Sequence, residues 1–345
     1  MLAIYISILL LLLYGVRIKQ EVPQKGYLSK EQCNCIKGFF IVVVFARHIA
    51  PYLVKSGYSY SLGGDKLFHF IDSHIGQLLV VMFLFYSGYG VMESFKKKGI
   101  QYIEHIPKRR ILTTLINFDV AIVFFLILNL VLNIDYPIKK ILFSFIGWES
   151  IGNSNWYIFV ILCCYLSTYL TFKLIVRDEN SRKSIGGGNF LILTILYVVL
   201  VNTKPSYWYD TLYSYFIGTC YSLYKEEIEN IIKKNYAVYL SLFIFAFIIL
   251  MILPFNLKGG MANIRAIFLA LIIVLFSMKV QIHSKPLSWL GQNLFPLYIY
   301  QRIGMIVLSK FDGGMFIYEY PYLYILSCAV ITLLLGWSYK FIQIK

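Results

Sequence analysis

What this sequence has least of is charge. Asp, Glu, Lys and Arg make up 14% of its 345 residues, against 59% hydrophobic ones. No stretch stays polar long enough to clothe a soluble domain, while Leu/Ile/Val/Phe-rich runs of membrane-spanning length recur from end to end. In lipid every backbone polar group must be paired within the segment, which leaves helices as the spanning elements. The expected fold class is an all-α polytopic membrane protein lying in the lipid bilayer. Acid is scarcer still: 17 Asp and Glu face 32 Lys and Arg, a formal charge of +15. With no basic soluble module to bind it, no nucleic acid is expected as a partner. The excess reads instead as lysine and arginine of cytoplasmic loops.

Other absences narrow the chemistry. There is no Ser-His-Asp order, no metal motif and no Gly-rich nucleotide fingerprint. Of the six cysteines, Cys163, Cys164, Cys220 and Cys328 lie in apolar segments and read as small packing residues. Cys33-Asn34-Cys35 lacks a second Cys/His pair at zinc-site spacing, so no metal is expected. Gly186-Gly187-Gly188 stands alone and reads as a flexible cytosolic loop. No internal repeat is present. No positive charge precedes the first apolar run, Leu2 to Val16, but Arg17, Lys19, Lys25 and Lys30 follow it. That order fits a retained helix with its N-terminus outside, not a cleaved signal.

Eleven spans are expected: Leu2–Val16, Ile36–Val54, Ile75–Met92, Ile111–Leu132, Asn155–Val176, Asn189–Val201, Tyr209–Tyr224, Tyr236–Phe255, Ala262–Met278, Leu294–Leu308 and Tyr320–Tyr339. This alternation puts about 20 Lys and Arg in the inner segments and about 7 in the outer loops. It predicts a multi-pass plasma-membrane protein with the N-terminus outside and the C-terminus cytoplasmic. Residues 1–27 form an N-terminal helix and cytosolic linker, and 28–345 the main integral-membrane domain. His69 and His74 fall in an external loop and read as solvated.

Ionisable groups inside the spans are the functional candidates, because they are costly there. The second span carries Lys37, Arg47 and His48. Lys37 and His48 are eleven residues apart, which places them on one helix face about 16 Å apart along the axis. Such a face suits a long anionic ligand with its reactive end at the histidine. Arg47 points about 100° away and is a candidate for substrate binding, or for pairing with Asp119 or Glu93. Asp119 is an intramembrane acid suited to balance a basic residue or to orient the histidine. Arg265 and Arg302 lie near span ends, where they can snorkel. The most basic loop holds Lys96, Lys97 and Lys98, then Lys108, Arg109 and Arg110. It suits anionic lipid, a phosphate-bearing cytosolic cofactor, or both. The outer loop from Asn133 to Ser154 contains Ile141–Trp148, too short to span, followed by Glu149, Asn153, Asn155 and Trp156. An aromatic face and amides suit contact with a sugar.

These features together resemble membrane acyltransferase family 3, which includes bacterial O-acetyltransferases of surface polysaccharides. The family's basic residue, ten residues and histidine match Lys37 to His48. Its Phe-rich Ser-Gly pattern matches Phe83-Leu84-Phe85-Tyr86-Ser87-Gly88, and its basic helix start matches Lys108-Arg109-Arg110. A Trp-Tyr helix start is present at Asn155-Trp156-Tyr157, and a Pro-x-Tyr start at Pro296-Leu297-Tyr298. The resemblance runs from about residue 28 to the end. Two departures stand out: Thr113 occupies the place of a second arginine, and Gln301 that of a frequent histidine.

The resemblance implies a ten-helix acyltransferase domain, preceded here by one added helix. It implies transfer of an acyl group, usually acetyl, from cytosolic acyl-CoA to a hydroxyl of a cell-surface or lipid-linked glycan. Acetyl-CoA would be a co-substrate, with no permanently bound cofactor. His48 would be the catalytic residue, as general base or as acyl carrier. Lys37, Lys108, Arg109 and Arg110 would bind the donor. Arg47, Asp119, Glu149, Asn155, Trp156 and Tyr298 would bind or support the acceptor. The rival reading is a polysaccharide transporter or lipid-linked oligosaccharide flippase, which should show repeat symmetry.

Overall fold

The computed structural model describes residues 6, 10, 13–58, 66, 76–179, 181–254 and 256–344, and their regular structure is helical apart from one pair of short strands. In chain order the elements are β1 (Val16–Ile18), α1 (Lys30–Lys55) and α2 (Val81–Lys98), the last led in by a 3-10 turn at Gly76–Val80. Next come α3 (Ile100–Glu104), a π-helical segment (Pro107–Leu112) and α4 (Thr113–Val131). Then follow α5 (Ile138–Phe145), α6 (Trp156–Leu174), α7 (Arg182–Thr203), α8 (Tyr213–Leu223), α9 (Lys225–Lys234), α10 (Tyr236–Ile252) and α11 (Gly260–Lys279). The chain closes with β2 (Val280–Ile282), α12 (Lys285–Gln292), α13 (Leu294–Lys310), α14 (Met315–Glu319) and α15 (Pro321–Ile342).

Among the described residues, seven helical stretches are long and apolar enough to cross a bilayer, and α9 with α10 would make an eighth despite a 114° bend between them. The protein is therefore an all-α, polytopic membrane protein. The eleven expected spans differ from this in identifiable ways. The first falls largely on residues outside those described. The seventh is only the 11-residue α8, which rises about 16 Å, half of a bilayer core. Its Ser214, Thr219 and Ser222 are buried inside the protein, so it need not present a full apolar length to lipid. The tenth is the 17-residue α13, and the sixth begins at Arg182 rather than Asn189.

Glycines let the central helices touch backbone to backbone. A Cβ at Gly38 of α1 would strike the Leu287 carbonyl of α12, and one at Gly291 of α12 would strike the Asn34 carbonyl of α1. The same reciprocal crossing joins α2 and α8: Gly88 faces the Tyr215 carbonyl and Gly218 the Phe85 carbonyl. In lipid, where apolar burial does little to hold helices together, such close approach is the main source of helix–helix attraction. Gly186 and Gly188 are buried in a helix rather than in a flexible loop, contrary to the loop expectation. All three glycines of the run lie within α7, and Gly188 abuts Thr171 of α6 and Ile175 just past its end. Beside it, Asn189 Nδ2 donates to Ser167 and Thr168 at 3.2 and 3.3 Å.

Three further features place the site. β1 pairs antiparallel with β2, Arg17 opposite Gln281, so the N-terminal linker is stitched to the far end of α11. Gln32 reinforces the joint, donating to the Val280 carbonyl and accepting from Ile282 N–H. The amphipathic α5 covers one rim, with Ile138 and Leu142 exposed. After it, Gly147 and Gly152 take positive φ, 74° and 108°, which only glycine adopts freely. They fold residues 147–155 into a tight loop above the bundle. Arg265, expected to snorkel, is instead 5% exposed, and its Nη1 donates to the Pro254 carbonyl at 3.4 Å.

Candidate functional site

Ser29 starts α1 as its N-cap, its hydroxyl accepting from Gln32 N–H at 3.2 Å. Pro51 lies one turn beyond Arg47 and His48 and contributes no N–H to the helical ladder there. Opposite stands α13. Tyr298 and Arg302 are four residues apart on it and so share a face, with Gln301 beside them. The His48 ring is half-buried, 6.0 Å from the Tyr298 ring centre to centre. Arg302, Arg47 and the Gln301 side chain also surround it. Gln301 Nε2 is committed to the Tyr298 carbonyl at 3.0 Å. Neither His48 Nδ1 nor Gln301 Oε1 completes a hydrogen bond, although both are buried. Among the described residues no carboxylate orients this histidine.

Two cavities meet at Tyr298. The outer one, about 380 Å³, is lined by Arg47, His48, Tyr298 and Arg302, with Ser150, Asn153, Ser154, Asn155, Trp156 and Tyr207 from the loop side. The inner one, about 550 Å³, is lined by Lys37, Ser87, Thr113, Asn117, Tyr157, Tyr165, Tyr298 and Lys340, among others. Tyr298 packs edge-on against Tyr157 with ring centres 5.3 Å apart. Its hydroxyl is buried and unpartnered. A single ring thus forms part of both walls, with an available O–H between them.

The basic segment takes an unusual form. Pro107–Leu112 is π-helical, and Thr113 N–H returns to the Lys108 carbonyl. Such segments are rare and concentrate at functional sites. Arg110 Nε donates to Tyr102 Oη at 3.2 Å, and its guanidinium lies 5.9 Å from the centre of the Tyr165 ring. Arg109 and Arg110 line a third cavity with Lys98, Gln101, Tyr102 and His105. The four expected donor-binding residues therefore do not form one wall. Lys37 faces the inner cavity, Arg109 and Arg110 face the neighbouring one across Tyr165, and Lys108 is exposed and lines neither.

The expected acceptor residues also divide. Asn155, Trp156, Tyr298 and Arg47 line the outer cavity. Asn155 Nδ2 is held by the Gly147 carbonyl at 2.9 Å, while Trp156 packs edge-on against Tyr207 at 6.0 Å. Glu149 is not a lining residue: Lys204 pairs with it at 3.4 Å and also donates to the Trp148 carbonyl. Asp119 lines neither of the two cavities, and its Oδ1 is buried without a partner. Glu93 accepts from Lys96 and Ser222 at the C-terminal end of α2.

Arg302, Gln301, Ser154 and Lys340 were not expected at the site. The i, i+4 spacing of Tyr298 and Arg302 was the available signal, and it points from a recognised tyrosine to the arginine. Lys340 carried none, because only the packing of α15 brings it to Lys37.

Neither among curated proteins nor among solved structures does any match this chain. The family comparison, in contrast, covers nearly all of it. Residues 31–340 match the acyltransferase domain of acyltransferase family 3. Together with the multi-pass helical fold, this match makes the chain a member of that family and a membrane-bound acyltransferase.

Proposed function

We propose that this acyltransferase moves an acetyl group from cytosolic acetyl-CoA to a hydroxyl of a cell-surface or lipid-linked glycan in the plasma membrane. The observation that carries this reading is the pair of cavities sharing Tyr298, one reached past Lys37 and the other holding His48. The Lys37 end of α1 lies towards the basic segments, which supports a cytoplasmic inner cavity, an outside N-terminus and a cytoplasmic C-terminus. The unit would be residues 28–345, with 1–27 as an added helix and linker.

In this reading Lys37 and Lys340 attract the coenzyme's phosphates, and the pantetheine arm brings the thioester to Tyr298. The acceptor hydroxyl lies in the outer cavity, where Trp156 offers an aromatic face and Asn155 shapes the wall. As general base, His48 takes the hydroxyl proton while the oxygen attacks the thioester carbonyl. The C–S bond breaks and coenzyme A leaves as thiolate, which takes up a proton. As acyl carrier, the imidazole first displaces coenzyme A thiolate from the acetyl carbon, breaking the C–S bond. The hydroxyl oxygen then takes the acetyl group as the C–N bond breaks, and the hydroxyl proton passes to the released imidazole. Both routes build negative charge on the carbonyl oxygen. The unpartnered Tyr298 O–H is suited to donate to it, and such a donor can be worth about 100- to 1,000-fold in rate.

The test is acetyl transfer by purified protein bearing His48→Ala or His48→Gln. Both should lose transfer by about 100- to 10,000-fold while acetyl-CoA still binds. His48→Gln retaining most of the activity would remove the histidine from the chemistry.

A further inference from the structure

The outer cavity is built for an anion. Among the described residues Arg302 has no hydrogen-bond or ion-pair partner, and its Nε is buried. Beside it, Asn153 is 3% exposed and Ser154 5% exposed. Asn153 Nδ2 and Ser154 Oγ are buried and have no hydrogen-bond partner. The orientation of the Asn153 amide is fixed, because its Oδ1 already accepts from Ile151 N–H at 3.0 Å. The NH₂ group is therefore the end left over. Two elements, α13 and the 147–155 loop, thus bring three spare donor groups to one cavity wall, and no described residue lining it is acidic. The nearest acid in sequence, Glu149, is held by Lys204.

A neutral sugar would leave a guanidinium partly dehydrated against hydroxyls, at a cost in affinity. A carboxylate or phosphate oxygen satisfies it with charge-assisted hydrogen bonds, and a guanidinium fork fits either group in a bidentate way. We propose that the acceptor carries an anionic group, the carboxylate of an acidic sugar or a phosphate, and that Arg302, Asn153 and Ser154 hold it while a neighbouring hydroxyl faces His48. This deepens the proposed function and rests on the outer cavity being the acceptor site. Arg302 binds and positions the acceptor; the proton and the acyl group remain with His48.

The test uses purified full-length protein in lipid nanodiscs. Dissociation constants are measured for glucuronic acid, glucose 1-phosphate and glucose, and separately for acetyl-CoA. At least one anionic probe should bind about tenfold or more tighter than glucose. Preference for glucuronate points to an acidic sugar, and preference for glucose 1-phosphate to a phosphate-bearing acceptor. Arg302→Gln should erase the preference and Arg302→Lys retain part of it. Asn153→Asp keeps the acceptor for Ile151 N–H but sets a negative charge in the cavity, so it should weaken the anion without touching Arg302. Glucose binding as tightly as both anions, no probe binding, or a preference that survives Arg302→Gln and Asn153→Asp would overturn the proposal. So would a loss confined to acetyl-CoA, which would assign Arg302 to the donor. If acetyl-CoA fails to bind while the anion preference holds, it is the donor assignment that falls.

Discussion

The inner and outer cavities differ in how their positive charge is held. At the inner one, Lys37 and Lys340 are lysines on α1 and α15, with hydroxyls and an amide from Ser87, Thr113 and Asn117 between them. Lysine is a compact, strongly hydrated charge on a flexible stem, suited to a ligand that enters, moves and leaves. At the outer one, Arg47 and Arg302 are arginines set among buried donors on a loop locked by two positive-φ glycines. Arginine's planar fork suits one fixed geometry. The contrast teaches that one wall is made to attract and the other to orient.

The largest test of that division is to close a helix crossing on which both cavities depend. Gly38→Val should abolish folded, membrane-inserted protein, because the new side chain meets the Leu287 backbone and not a movable side chain; the yield of monodisperse protein measures it. Gly187→Ala, which meets nothing within 4 Å, should leave that yield unchanged. Next in size is Tyr298, shared by both walls. Tyr298→Phe keeps the ring but removes the hydroxyl, so kcat should fall by about 100-fold or more with little change in either Michaelis constant. A pure KM effect would make the hydroxyl a binding group.

Lysine and arginine should then separate. Lys37→Gln should raise the Michaelis constant for acetyl-CoA by about tenfold and leave that for the acceptor unchanged. Arg110→Gln should have a smaller effect of the same kind, since Arg110 faces a neighbouring cavity. Lys108→Gln should have the least, being exposed and away from both walls. If Lys108→Gln equals Lys37→Gln, the donor lies along the basic segment and not in the inner cavity.

The sequence made the helical membrane fold readable, because apolar length and scarce charge leave few other solutions. It also pointed to Lys37 and His48, since one helix carries both and its period sets their faces. What it hid arises between helices. Gln301 read as a departure from a pattern and Arg302 as a snorkelling side chain; only the packing of α13 on α1 puts them beside His48. Glu149 read as a sugar ligand because of its aromatic and amide neighbours, but Lys204, 55 residues later, claims it. The glycine run at 186–188 read as a flexible loop because the residues Gly188 packs against, Thr171 and Ile175, lie in the preceding helix and just past its end. The count of spans was least legible, since α8 is buried inside the protein and is shorter than its apolar neighbourhood suggests.

The pairing of Val16–Ile18 with Val280–Ile282 also has a consequence in time. A ribosome makes about 5–20 residues per second, so the second strand emerges on the order of 10–50 seconds after the first. Throughout that interval the first strand has an unpaired edge, and Gln32 has neither of the backbone groups it will bind. The linker around residues 16–18 is therefore secured only once residues 280–282 have been made. A nascent chain stopped before α11 should leave its N-terminal linker open to protease, and one extended past Ile282 should protect it.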